Sequence, residues 1–184
     1  MPIAAHRLAP HGIAVVRAES APDNVDQHDA DPWASGSPLP FNESVFDLVI
    51  DRHSSYWPSE VHRVLKKGGT FLTQQRSEAG GDGEGWQDLF ARKPHPRRRF
   101  TLEFATGQLV RHGFKVRRAD EADTPMVFRD LAGIVFYLRL VPWAVVDFDP
   151  NKDRQALERI QRRLMNDGEL RVRGAHMLIE CGKE

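Results

Sequence analysis

The sequence has little cysteine, no excess of either charge and no long apolar run. A single cysteine, Cys181, among 184 residues excludes a disulfide framework and fits a reducing compartment. Lysine and arginine (26) balance aspartate and glutamate (26), so net charge gives no general attraction to nucleic acid or membranes. The longest apolar stretch, 131–143, contains Arg139 and Pro142 and is shorter than the roughly 20 residues of a membrane-spanning helix. We therefore expect a cytoplasmic protein without membrane contact.

Length and composition favour one globular domain. A chain of 184 residues with 40% hydrophobic side chains can bury a core of its own, so we predict a single domain over 1–184. Two segments rich in glycine, proline, serine and aspartate, 20–38 and 80–85, are predicted to be loops. The glycines of the second loop lack the spacing of a dinucleotide-binding loop, so we interpret it as a lid or a linker.

The clearest pattern of the chain predicts a strand, a helix and a second strand in succession. Residues 46–50 form an apolar run of strand length. Pro58 suits a first helical turn, and the apolar residues within 61–65 fall on one face of a helix. The sequence Lys-Lys-Gly at 66–68 is typical of a last helical turn followed by a left-handed stop. With a strand starting at 70–73, these elements predict a right-handed parallel βαβ unit.

These segments resemble the class I S-adenosylmethionine-dependent methyltransferases, in their small-molecule branch. The sequences LPF, FDLVI and EVHRVLKKGGTFL follow one another as they do in that family. The resemblance implies an α/β, Rossmann-like methyltransferase fold with a mostly parallel sheet of strand order 3-2-1-4-5-7-6. FDLVI would be the fourth strand of that order and TFLTQQ the fifth.

The resemblance also implies that the fold is N-terminally truncated. Residues 3–8 are predicted to end a helix that stops at 10–12, and residues 13–16 to form a strand that matches the third of the family. The first two strands, with the glycine-rich loop that binds the donor, would be missing, which leaves donor binding open. The strand at 46–50 would then become an exposed edge. We expect the chain to repack 13–16 against that edge, to form a homodimer through it, or to be marginally stable.

The C-terminal half predicts three further helices and two strands. A helix begins at the N-cap Thr101 and runs to His112, and 114–118 is predicted to be a strand. Residues 131–140 are apolar on nearly every face and predict a buried helix. The remaining elements are a helix over 149–168 and a final strand over 175–181.

Polar residues follow the two strands of the βαβ unit. Methyl transfer requires the nucleophile and the methyl group to be held in line, and a hydroxyl or amine nucleophile also needs a base. In open α/β sheets this chemistry lies at the carboxyl ends of strands, here Asp51, Arg52 and His53 after the first strand and 74–76 at the end of the second. His53 is the candidate catalytic base; its alternative role is a hydrogen bond to the neighbouring loop.

The resemblance implies S-adenosylmethionine as cofactor and a small molecule as acceptor. Asp51 and Arg52 either contact the methionyl end of the donor or pair with each other. The family has an acidic or amide residue that bonds the adenine amino group, and Glu19, Asp29 or Asp31 could fill that place. Glu19 and Asp31 therefore join Asp51 and Arg52 as cofactor-binding candidates, although each is also explained as a solvated loop charge.

Aromatic and basic residues raise further alternatives. Tyr56 and Trp57 either wall a substrate pocket or form a hydrophobic staple on the following helix. Residues 131–149, with Tyr137 and Trp143, would line an acceptor pocket by position. The basic cluster at 92–99 could bind phosphates of RNA or of an anionic substrate, but a solvated loop is the simpler interpretation, and we expect no nucleic-acid partner.

The sequence therefore predicts methyl transfer from S-adenosylmethionine to a small-molecule acceptor. The alternative is a non-catalytic relative of the methyltransferases that acts as a binding or partner module. We find no cluster of histidine, cysteine and acidic residues with the spacing of a metal site.

Overall fold

The computed structural model describes residues 2–16, 38–54, 56–78, 83–93 and 100–184. Its helices are α1 (Pro2–Leu8), continued by a 3-10 turn (Ala9–His11), then α2 (Pro58–Val64), α3 (Trp86–Leu89), α4 (Leu102–Arg111), α5 (Leu131–Leu140) and α6 (Arg154–Asp167). Its strands are β1 (Phe46–Arg52), β2 (Leu65–Ser77), β3 (Phe114–Asp123), β4 (Met126–Phe128), β5 (Leu170–Val172) and β6 (Ala175–Lys183). Within these ranges, no helix is long and apolar enough to cross a membrane.

The main sheet has the strand order β1-β2-β6-β3. β1 runs parallel to β2, whereas β6 runs antiparallel to both β2 and β3. Three of the four strands, β1, β2 and β3, run in the same direction, as predicted for a mostly parallel sheet. The reversed strand β6 lies between β2 and β3 and makes two of the three strand pairs antiparallel. The observed order corresponds to 4-5-7-6 in the order implied by the family resemblance. β4 and β5 form a separate antiparallel pair.

The boundary between α2 and β2 lies earlier than the sequence predicts. α2 ends at Val64, and Leu65 is already extended, with φ −73° and ψ 139°. The extended backbone buries the Leu65 side chain completely, and this burial outweighs the local signal for a longer helix. Lys66 instead forms an ion pair with Asp47 of β1 at 2.9 Å. Gly68 has the expected left-handed φ of 79°, but within β2 rather than at a helix end.

The N-terminal segment forms no strand. Residues 13–16 lack regular structure, so the strand predicted there is wrong, as is the first of the three alternatives for the edge, repacking of 13–16 against β1. A four-residue run without a ladder to join has too few hydrogen bonds to hold an extended conformation. Among the described residues β1 pairs only with β2, and its Leu48 and Ile50 are 51% and 65% exposed.

Two hydrophobic cores lie on different parts of the fold. The first lies between one face of the main sheet and α2 and α4; its largest members are Leu65, Phe71, Leu109, Met177 and Ile179. The second joins α3, α5 and α6 to β5 and includes Ile134, Leu138, Ile160, Leu164 and Leu170. The helix α5, apolar on nearly every face, was predicted to be buried, but only one of its sides packs into the second core.

The helix over 131–140 is confirmed in position but not in burial. Ile134 and Leu138 are buried, whereas Phe136 and Leu140 are exposed. A helix in contact with the rest of the chain along one side leaves its opposite side in solvent whatever that side's composition.

The start of α6 also differs from its prediction. The helix begins at Arg154 rather than at Asp149. The Asp149 carboxylate accepts hydrogen bonds from the backbone amides of Asn151 at 2.8 Å and Lys152 at 3.0 Å. These bonds form a turn that delays the helix, while its end at Gly168, with φ 77°, is confirmed.

Candidate functional site

The carboxyl end of β1 meets a polar stretch of β2. The half-buried Asp51 accepts hydrogen bonds from the Thr73 hydroxyl at 3.1 Å and from the Gln75 amide. The Gln75 amide also donates to the Ser54 carbonyl at 2.9 Å. Thr73 and Gln75 are themselves buried, so Asp51 belongs to a polar network at the edge of the first core.

Burial changes the proton affinity of Asp51. Loss of solvent raises the pKa of this carboxyl to about 6, against the opposing effect of the hydrogen bonds from Thr73 and Gln75. The group is thus a carboxylate at neutral pH that can take up a proton in mildly acidic solution.

Tyr56 places a hydroxyl without a partner in the same region. Its ring packs edge-on against Phe71 at 5.1 Å, and its hydroxyl is buried without a hydrogen-bond partner in the described part of the chain. Burial, followed by the negative charge of Asp51, raises the pKa of the phenol. Tyr56 and Val61 belong to the same core cluster, as a hydrophobic staple requires, so the ring has a structural role.

His53 lies at the turn directly after β1. Its backbone is left-handed, with φ 53°, and its amide donates to the Gln74 carbonyl at 2.9 Å. Its ring centre lies 5.0 Å from that of His176, with the planes at 76°. His176 is hydrogen-bonded through Nδ1 to the Thr124 hydroxyl. His176 and Thr124 were not identified from the sequence, because only the position of β6 between β2 and β3 brings them to this end.

Arg52 and Asp51 do not pair with each other. Arg52 Nε donates to the Gln74 side chain at 2.9 Å, whereas Asp51 bonds Thr73. Because successive side chains of a strand point to opposite faces, Asp51 and Arg52 occupy opposite faces of the sheet. This arrangement excludes an ion pair between the two side chains. It also means that Asp51 and Arg52 would reach the methionyl end of the donor from opposite faces of the sheet.

The two aromatic candidates of the predicted acceptor pocket lie in different environments. The Tyr137 hydroxyl contacts Arg76 Nη1 at 3.2 Å, so α5 reaches the strand ends. Trp143 is 66% exposed, so most of its side chain lies in solvent. A shallow groove of about 550 Å³ lies elsewhere, between the start of α5 and α6, lined in part by Leu131 and Leu157.

Several predicted residues lie outside the described residues. These include Glu19, Asp29 and Asp31, as well as 80–82 of the glycine-rich segment and 94–99 of the basic cluster. Of the basic cluster, Arg92 forms an ion pair with the buried Asp153 at 2.8 Å, which gives it a structural role. Among the described residues, no group of three histidines, cysteines or acidic residues could hold a metal ion.

Comparison with known proteins shows the fold. No family model matches the chain, and no curated protein matches it. Among solved structures, a proposed methyltransferase of Bacillus halodurans C-125 is 15% identical with a TM-score of 0.50, over 79% of this chain and 67% of that one. This likeness shows that the chain has an α/β, Rossmann-like fold, similar to that of the Bacillus halodurans protein.

Further neighbours are more distant. The [4+2]-cyclase SpnF is 16% identical with a TM-score of 0.42, over 79% of this chain and 52% of that one. A proposed sarcosine dimethylglycine methyltransferase of Galdieria sulphuraria is 18% identical with a TM-score of 0.36, over 77% of this chain and 55% of that one. This chain thus spans between about half and two thirds of these three proteins. Because one fold hosts many activities, the activity must be argued from the site.

Proposed function

We propose that this chain transfers a methyl group from S-adenosylmethionine to a small-molecule acceptor in the cytoplasm. The observation that carries the proposal is the network of Asp51, Thr73 and Gln75 beside the unpartnered Tyr56 hydroxyl. It lies at the carboxyl end of β1 in a methyltransferase fold, the end at which ligands bind in open α/β sheets.

The chemistry of these groups fits the methionyl end of the donor. That end carries an ammonium group, and Asp51 offers a half-buried carboxylate that is ionised at neutral pH. The Tyr56 hydroxyl lacks a hydrogen-bond partner in the described part of the chain, and a ligand's polar atom would provide one. S-adenosylmethionine, when bound, supplies an activated methyl group; Glu19 and Asp31 stay candidates for its adenine amino group.

In this proposal His53 removes the proton from the acceptor's nucleophile. Imidazole accepts protons near neutral pH, and the ring lies at the tip of β1 rather than inside the core. Its left-handed backbone, with φ 53°, is uncommon for a residue with a side chain, and such conformations cluster at functional sites. The remaining task of the chain is to orient the acceptor toward that ring.

Calorimetric titration with S-adenosylhomocysteine tests the donor site without an acceptor. We expect micromolar binding that Asp51→Asn weakens about tenfold, which is about 1.4 kcal/mol. The matched control is Asp47→Asn, because Asp47 is exposed at the other end of the same strand and, among the described residues, pairs with Lys66 alone. A folded chain that does not bind, or equal losses in both variants, would contradict the proposal.

A second candidate is the non-catalytic binding or partner module. It is favoured by the exposed Leu48 and Ile50 on β1, since apolar side chains on an edge strand suit a protein contact. A folded chain that fails to bind S-adenosylhomocysteine but self-associates would support this function instead.

A further inference from the structure

Four side chains that can carry positive charge converge at the strand ends. Arg52 of β1 lies opposite Gln74 in the register with β2, and Arg76, two residues further on, lies opposite His176 of β6. The His53 ring is 5.0 Å from the His176 ring. Because alternate residues of a strand share a face, Arg52, Arg76 and His176 lie on the face opposite Asp51. We call these three residues and His53 the cationic cluster.

Among the described residues, the hydrogen-bond partners of the two arginines are neutral. Arg52 Nε bonds the Gln74 amide oxygen, and Arg76 Nη1 bonds the Tyr137 hydroxyl and contacts the Met126 sulfur. Each guanidinium has five N–H donors in a planar fork, so both retain donors for a further ligand.

Several other arginines in the described part of the chain pair with carboxylates. Arg63 pairs with Glu60 at 2.8 Å, and Arg92 pairs with Asp153 at 2.8 Å. Neither Arg52 nor Arg76 has such a pair among the described residues. Within the described ranges, the two arginines of the cationic cluster therefore have only neutral hydrogen-bond partners and no carboxylate counter-ion.

Carboxylates near the cluster are directed elsewhere. Asp51 is held on the opposite face by Thr73. Glu78, two residues after Arg76, accepts a hydrogen bond from the Phe100 amide at 3.4 Å.

The carboxylates on the same face of β3 and β6 are associated with another arginine. Asp120 forms an ion pair with Arg118, and Glu180 lies opposite Arg118 in the register of the two strands. Glu180 is four residues from His176 along β6, about 13 Å at the usual rise of a strand. Neither carboxylate neutralises the cluster.

The positive groups are close enough to affect one another. The pKa of His176 is lowered, first by burial and then by the positive charges of His53, Arg76 and Arg52. An anion among these side chains would relieve that repulsion and would gain charge-assisted hydrogen bonds.

We propose that the cationic cluster binds an oxyanion, a phosphate or carboxylate group carried by the methyl acceptor. Guanidinium forks match the geometry of such groups through two parallel hydrogen bonds. The hydroxyls of Thr124 and Tyr137, which contact His176 and Arg76, lie beside the cluster and would offer the oxyanion further hydrogen bonds. An acceptor held in this way would place its nucleophile beside His53. The identity of the ligand as acceptor rests on the proposed function; the oxyanion site does not.

The test is titration of the full chain with inorganic phosphate and, in a separate experiment, with acetate. Binding is monitored through the imidazole NMR signals of His53 and His176. We expect saturable shifts, and a loss of affinity of about tenfold or more in the double variant Arg52→Gln/Arg76→Gln. The control Arg159→Gln removes an exposed charge from α6 and should leave the affinity unchanged. Tighter binding of phosphate assigns the acceptor a phosphate group, and tighter binding of acetate a carboxylate. Shifts that do not saturate, or that both variants reduce equally, would overturn the proposal.

Titration of the same double variant with S-adenosylhomocysteine separates this inference from the proposed function. We expect unchanged affinity, because the cluster lies on the face opposite Asp51. A parallel loss would mean that the cluster holds the carboxylate of the donor, and the acceptor assignment would fail. Phosphate binding without S-adenosylhomocysteine binding would leave the oxyanion site standing and refute the donor site.

Discussion

At Asp51, the loss of solvent outweighs two hydrogen bonds, and this has a consequence for stability. The pKa is about 6 in the folded chain against an ordinary value of 3.8, so the folded state binds a proton more tightly than the unfolded state. The contribution of Asp51 to stability is therefore greatest below about pH 4, falls as pH rises to about 6, and is unfavourable above that. We expect Asp51→Asn to be more stable than the natural chain at pH 8, with the difference disappearing toward pH 4. Urea unfolding across this range measures it.

Other carboxyls do not interfere with this comparison. The pKa of Glu60 is lowered by its hydrogen bond with Arg63, so its contribution to stability falls as pH decreases, opposite to that of Asp51. Because Glu60 is the same in the natural chain and in Asp51→Asn, its contribution cancels in the difference between their stabilities. Asp47→Asn provides the control, since Asp47 is exposed. A stability difference between Asp51→Asn and the natural chain that stays constant from pH 4 to 8 would show that burial does not raise the pKa of Asp51 in the folded chain.

Tyr56 offers a second prediction at the residue scale. In the part of the chain that the structure describes, the buried Tyr56 hydroxyl has no hydrogen-bond partner. Its removal therefore costs no hydrogen bond there, so Tyr56→Phe should leave the free energy of unfolding unchanged or raise it by up to about 1 kcal/mol. Tyr56→Ala removes the ring that packs on Phe71 and should cost about 3–5 kcal/mol. Denaturant unfolding compares the two variants. A loss above about 1 kcal/mol in Tyr56→Phe would mean that the hydroxyl has a partner in solution.

At the scale of elements, α4 depends on its first turn. The Thr101 hydroxyl accepts a hydrogen bond from the Phe104 amide at 3.2 Å, and the helix buries Ala105 and Leu109 in the first core. Loss of an N-cap side chain costs about 1 kcal/mol, so we expect that decrease in the free energy of unfolding for Thr101→Ala. Thr101→Ser retains the hydroxyl and should stay within a few tenths of a kcal/mol of the natural chain. Equal losses in the two variants would show that the threonine methyl group matters instead.

The elements predicted correctly from the sequence are those whose formation depends on nearby residues, such as an apolar run or a helix N-cap. The strand at 46–50 is confirmed within β1, and the helix from Thr101 is confirmed with its cap. The strand predicted at 13–16 failed, because strand formation requires a partner that composition does not reveal. The α2–β2 boundary was misplaced, because burial of Leu65 is a tertiary effect that outweighs helix signals at 66–68.

Most of the candidate site could be predicted where it directly follows a strand, and Tyr137 was predicted only from its position within 131–149. Asp51 and His53 could be identified because polar residues after an apolar strand mark its carboxyl end. His176, Thr124 and Tyr137 come from distant parts of the chain, and no local pattern connects them with β1. Their convergence depends on the strand order β1-β2-β6-β3, which the resemblance implied but spacing alone does not provide.

At the scale of the whole molecule, β2 connects the two cores. Its Leu65 and Phe71 lie in the first core, while Arg76 near its end bonds Tyr137, which packs on the second core. The candidate site thus lies where the cores meet, so its geometry depends on both.

The exposed edge at β1 leads to a prediction about assembly. Among the described residues β1 has one neighbouring strand, and its Ile50 side chain is exposed. An edge of this kind invites pairing with a second copy, so we expect concentration-dependent dimers in sedimentation velocity. Ile50→Lys should shift the chain to monomer, because lysine on an edge strand opposes pairing. Met165→Lys, at an exposed position of α6, should leave the dimer intact. A natural chain that stays monomeric at high concentration and unfolds at low denaturant would instead support the expected alternative of marginal stability.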